Sequence, residues 1–138
     1  MRTEHSYPAL PGSTLGVVGG GQLGRMLAME ARRMGYRVSV LDPNPDSPAG
    51  QFADERIVAD YSDVDAARSL AQKAAAVTYE FENVDAAAIA AAEAAGTVRP
   101  RSSVLRVTQH RLREKTTVSE AGFPVADFAP VDERSDLD

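Results

Sequence analysis

The chain contains no cysteine among its 138 residues. Disulfide staples, thiolate nucleophiles and cysteine-based metal sites are therefore excluded together. It has only two histidines, His5 and His110, far apart in the sequence, so no metal site is expected. Basic charge is also scarce. Lys and Arg number 15 against 20 Asp and Glu, a formal net charge of −5, so no overall basic field draws the chain to nucleic acid or to an anionic membrane. No serine stands between the paired glycines of a nucleophile elbow, which leaves covalent catalysis without a candidate. No apolar run is long enough to cross a bilayer. The first fourteen residues, MRTEHSYPALPGST, lack the apolar core of an export signal. A soluble, cytoplasmic protein with no membrane partner is expected, and the length suits one packed domain.

What is present is an alternation. Leu15–Val18 reads as a buried strand closed by glycines. A helix follows over Gln22–Met34, where Leu23, Met26, Leu27 and Met34 recur with Ala28 and Ala31 at helical spacing, and Gly35 ends it. Arg37–Leu41 is a second strand, and the three prolines of Asp42–Pro48 make the next segment a loop. Further on, the pattern predicts a short strand at Arg56–Ala59 and a helix at Asp63–Ala74. A strand at Ala76–Phe81 and an alanine-rich helix at Val84–Ala95, capped by Asn83 and ended by Gly96, come next. Thr97–Arg99 is a last short strand, Val104–Ala121 holds one or two helices, Val125–Val131 is extended, and Asp132–Asp138 is expected to fray. Strands and helices at this rhythm imply an α/β fold: a Rossmann-like parallel sheet with helices on both faces. Residues 1–14 read as a tail. No internal repeat is visible beyond the alternation.

The candidate site begins at the turn after the first strand. Gly19, Gly21 and Gly24 form G-x-G-x-x-G between strand and helix, where backbone N–H groups can approach an anion. Asp42, at the end of the second strand, lies where a dinucleotide-binding domain keeps its ribose-binding acid. These residues alone favour a nicotinamide or flavin dinucleotide. Tyr79-Glu-Phe-Glu-Asn-Val84 shifts the balance. It places Glu80, Glu82 and Asn83 at the end of the fourth strand, on the rim where ligands of open parallel sheets bind. Two acids repel a pyrophosphate but suit a ligand carrying an amine or hydroxyls at one end and a phosphate at the other. Strand side chains alternate, so only one of Glu80 and Glu82 is expected to face the crevice, while Tyr79 and Phe81 pack as core.

The segments GGGQLGRMLA, VLDP, PAGQFAD, TYEFENV, Gln109-His-Arg-Leu-Arg-Glu-Lys115 and Ala121-Gly-Phe-Pro124 resemble, in order and spacing, the N-terminal part of N5-carboxyaminoimidazole ribonucleotide synthetases. These are ATP-grasp enzymes of purine biosynthesis. The resemblance runs from about Leu15 to Val131. It implies a pre-ATP-grasp domain over residues 15–124 and the start of an ATP-grasp module over 125–138. It also implies ATP-dependent carboxylation of 5-aminoimidazole ribonucleotide with bicarbonate, by way of carboxyphosphate, with Mg²⁺ on the ATP phosphates. Gly20, Gly21, Gln22 and Leu23 of the glycine turn, with Glu82 and Asn83, would hold the ribonucleotide. Arg111 would reach the ATP phosphates, or else is a solvated helix arginine beside Arg106 and Arg113. Where the family usually has an acid after the glutamine, this chain has His110. Most of the ATP and Mg²⁺ site belongs to domains beyond these residues, so the fragment alone is expected not to turn over. Family members are commonly homodimers. Two other readings remain open at this point: an NAD(P)-binding domain of an oxidoreductase, and a non-catalytic nucleotide-binding module.

Overall fold

The computed structural model of the chain describes residues 8–131 and 133–137. His5 and residues 132 and 138 lie outside them. The described chain divides into two compact units, one ending at Ser102 and the other beginning at Ser103.

The first unit holds a four-stranded, all-parallel sheet. Its strands are β1 (Thr14–Val18), β2 (Arg37–Leu41), β3 (Glu55–Ile57) and β4 (Ala76–Tyr79), arranged β3-β2-β1-β4. Helix α1 (Gln22–Arg33) crosses from β1 to β2, α2 (Val64–Lys73) from β3 to β4, and α3 (Ala86–Ala95) follows β4. The chain steps outward from β1 to β3 and then returns past β1 to β4. Right-handed crossovers in opposite directions put α1 and α2 on opposite faces. Side-chain direction agrees. Val17 points into a cluster with Ala28 and Ala31 of α1 and with Val38 and Val40, whereas a Cβ on neighbouring Gly16 would meet Leu70 of α2 at 3.0 Å. Both faces of β1 are thus covered, as its unbroken apolar sequence requires.

Helix α1 buries only the small residues of its expected face. The buried residues are Gly24, Ala28 and Ala31, while Leu23, Met26, Leu27, Met29 and Met34 are exposed. Both sets recur at helical spacing, so periodicity alone does not choose between them. Size does: the small stripe lets the helix axis lie close to the sheet. The third strand is shorter than expected, because the chain leaves the sheet edge after Ile57 and Val58 is exposed. Thr97–Arg99 contributes only an isolated parallel bridge, Val77 to Val98. Helix α3 starts two residues later than expected, and its cap is Asp85, whose carboxylate accepts from the N–H groups of Ala87 and Ala88 at 2.8 Å. Asn83 is not the cap. Asp63 caps α2 in the same manner.

The second unit carries α4 (Ser102–Thr108), whose first residue closes the first unit, and α5 (Arg111–Glu120). His110 caps α5, its Nδ1 accepting from the Arg113 N–H at a long 3.4 Å. Residues 125–131 form no regular element, and the tail expected to fray carries a 3₁₀ turn over Arg134–Leu137.

Candidate functional site

Four turns meet at the carboxyl rim of the sheet. They are the glycine turn after β1, the proline-rich loop after β2, the β3–α2 connection with Tyr61, and the turn after β4. The chain's outward and returning crossovers diverge beside β1, so this rim is the fold's switch point, the usual ligand position in open parallel sheets. The turns line a cavity of about 250 Å³ whose walls include Gly20, Gly21, Asp42, Ser47, Tyr61 and Glu80. Among the described residues, no lysine or arginine lines it.

Two carboxylates close the glycine turn from inside. Asp42, buried at the end of β2, accepts from the Gly20 N–H at 2.6 Å, the Tyr61 hydroxyl at 2.6 Å and the Asn44 N–H at 2.8 Å. Glu80 spans the first turn of α1, with Oε1 accepting from the Gly21 N–H at 2.8 Å and Oε2 from the Gly24 N–H. These are orphan donors of a helix N-terminus, and a carboxylate satisfies them and complements the helix dipole together. The glycines are what let it in: Gly19 sits at φ +105, and a Cβ there would stand 2.6 Å from Glu80 Cγ. At Gly24 a Cβ would stand 2.6 Å from the Gly19 carbonyl oxygen. Close approach is thus required twice, by a side chain and by the turn's own backbone.

Tyr61 joins the two halves of the rim. It donates to Asp42 and meets Phe81 edge-to-face at 5.2 Å between ring centroids. Burial, the bond to Asp42 and the negative charges of Asp42 and Glu80 push its hydroxyl pKa above the ordinary 10, so it remains a donor at neutral pH. Phe81 is therefore a half-buried wall of the cavity rather than core.

The structure brings Gly20 and Gly21 to this rim. Gln22 and Leu23 open α1 and are exposed, Leu23 to 65%. Glu82 and Asn83 are exposed in the turn that carries Glu80. The acid bonded to the glycine turn is thus Glu80, and Glu82 lies two residues on. Arg111, in the second unit, is exposed and paired with Glu114 at 2.6 Å. Sequence reasoning weighed Glu80 only as the alternative to Glu82, and gave Tyr61 no role. Their partners lie 56 to 59 residues away for Glu80 and 19 for Tyr61, with no local pattern to betray them. Among the described residues, no cluster of three or more Asp, Glu or His side chains is arranged to hold a metal ion.

A family model for the ribonucleotide synthetase preATP-grasp domain matches residues 13–109. The chain belongs to this family. It is 43% identical over 127 residues to an N5-carboxyaminoimidazole ribonucleotide synthase of Bacillus subtilis, covering 92% of this chain and 33% of that protein. The crystal structure of the N5-carboxyaminoimidazole synthetase of Staphylococcus aureus complexed with ADP is similar at a TM-score of 0.88 and 40% identity, over 94% of this chain and 35% of that one. The synthase of Aspergillus clavatus, in complex with ADP and 5-aminoimidazole ribonucleotide, gives a TM-score of 0.77 and 34% identity, over 85% and 31%. The pre-ATP-grasp chain thus spans about a third of the length of these relatives. Its α/β fold, with a four-stranded parallel sheet and flanking helices, is that of the family.

Proposed function

We propose that this chain is the N-terminal, ribonucleotide-holding part of an N5-carboxyaminoimidazole ribonucleotide synthetase, an ATP-grasp ligase that carboxylates 5-aminoimidazole ribonucleotide with bicarbonate. The observation that carries the reading is the carboxylate of Glu80 on the N–H groups of Gly21 and Gly24. A dinucleotide domain needs those donors for pyrophosphate, and here they are already taken. With two carboxylates and, among the described residues, no cation lining the cavity, the rim offers nothing to a phosphate, and the hydroxyls and amine of a ribonucleotide fall to the exposed side chains around it.

In this reading the backbone of Gly20 and Gly21 supports the exposed side chains of Gln22 and Leu23, and these orient the ligand together with Glu82 and Asn83. Glu82 accepts from ligand hydroxyl or amine groups, and Asn83 can donate or accept. ATP supplies the phosphoryl group that activates bicarbonate. Arg111 is this chain's contribution to its phosphates: an exposed ion pair with Glu114 is worth little in water and exchanges readily for a phosphate. The Mg²⁺ and most of the ATP cleft belong to the part of the relatives that these residues do not cover, and residues 125–138 begin it. The assembled enzyme is a cytoplasmic homodimer, a reading supported by family resemblance.

Calorimetric titration tests the proposal. The chain binds 5-aminoimidazole ribonucleotide, Glu82→Ala weakens that binding at least tenfold, and NADH gives no heat. Micromolar NADH binding without ribonucleotide binding would establish the oxidoreductase reading instead.

A further inference from the structure

We propose that Glu80 is a built-in anion: a specificity-determining residue that occupies the phosphate position of the glycine turn and thereby converts a dinucleotide-type loop into one that accepts a ligand only through its outer side chains. Three observations carry this. The carboxylate bonds two N–H groups of one helix N-terminus, from residues Gly21 and Gly24, the pair a bound phosphate would bridge. Side chains at Gly19 or Gly21 would collide with the Glu80 side chain, and one at Gly24 would press on it at 3.0 Å, so the space beside these glycines is filled by Glu80. The second acid, Asp42, holds the Gly20 N–H and the Tyr61 hydroxyl, so the position from which a dinucleotide domain binds ribose is also spent internally.

The consequence is a division of labour along one turn. Backbone donors that elsewhere recognise phosphate are neutralised from within, and repulsion from Glu80 and Asp42 keeps a pyrophosphate out of the cavity. The same bonds fix the first turn of α1, from which Gln22 and Leu23 project. Only this last step rests on the ribonucleotide reading; the anion-site inference stands or falls without it.

The test is to remove the internal anion and ask whether an external one takes its place. In Glu80→Ala, inorganic phosphate is expected to bind with millimolar affinity, to shift the backbone amide signals of Gly21 and Gly24, and to raise the melting temperature by about 5 °C at ten times its dissociation constant. The unaltered chain shows none of these. Acetate, a closer mimic of the lost group, acts in the same direction. A folded Glu80→Ala chain whose Gly21 and Gly24 amides ignore both anions overturns the proposal. Should that variant not fold, Glu80→Gln decides: its amide group keeps one acceptor oxygen for two donors, so at least one of the Gly21 and Gly24 amide protons moves upfield while those of Gly12 and Gly35 stay. If the Gly21 and Gly24 signals stay as well, Glu80 is not the anion on this turn. Ribonucleotide affinity, measured on the unaltered chain, reports separately on the proposed function.

Discussion

The rim of this sheet has an inner and an outer tier, and the two use similar residues for opposite ends. In the inner tier, Asp42 and Glu80 spend their carboxylates on backbone N–H groups of the glycine turn and, for Asp42, on Tyr61 as well. In the outer tier, Gln22, Leu23, Glu82 and Asn83 are exposed. Two glutamates two residues apart thus part company: Glu80 shapes the turn, and Glu82 is exposed beyond it, where the proposed function puts the ligand. An acid at a ligand-binding rim is not by itself a ligand-binding acid. What marks Glu80 is that its two oxygens accept from N–H groups of the glycine turn, and only the three-dimensional arrangement tells.

The sharpest way to break the inner tier is Gly24→Ala. The new Cβ would stand 2.6 Å from the Gly19 carbonyl oxygen, a backbone atom that cannot swing aside. The expected loss is about 3 kcal/mol, read from the urea midpoint, with ribonucleotide binding lost as the turn deforms. Unchanged stability would mean that the turn is not packed as described. Tyr61→Phe is milder. It removes one hydroxyl donor from a carboxylate that keeps two backbone donors, and it preserves the edge-to-face contact with Phe81. About 1.5 kcal/mol is expected by the same measurement, the range for a hydrogen bond to a charged group.

The smallest effects separate the roles within residues 80–85. Asp85→Ala removes the cap of α3 and is expected to cost about 1 kcal/mol. Asn83→Ala should stay within about 0.5 kcal/mol, as an exposed position away from any cap does, while weakening ribonucleotide binding. The reverse ranking, with Asn83 the larger stability loss, would return Asn83 to the capping role that sequence alone suggested.

That reversal shows where the sequence is legible and where it is not. The parallel sheet with helices on both faces follows from the alternation of elements, and Arg37–Leu41 appears with the bounds expected of it. Asn and Asp are both good caps, so Asn83 and Asp85 cannot be ranked by residue type, and the difference lies in where the chain first turns helical. Likewise α1 carries two stripes at helical spacing, one large and one small. Hydrophobicity favours burying Leu23 and Met26, but the sheet admits only Gly24, Ala28 and Ala31 at close range. The candidate site was legible as a meeting of two turns, because the carboxyl ends of parallel strands share one rim. The identity of the bonded acid was not. After β4 ends at Tyr79, strand alternation no longer dictates which way Glu80 and Glu82 point.

The central claim is that ligand contact belongs to the outer tier while the inner tier is closed by its own acids. Its most direct test is to titrate the isotope-labelled chain with 5-aminoimidazole ribonucleotide and follow every backbone amide. The account predicts the largest shifts at Gln22, Leu23, Glu82 and Asn83, with Asn44, Ser47 and Tyr61 nearly still. Dominant shifts at Asn44, Ser47 and Tyr61 would place the ligand in the inner cavity and contradict it.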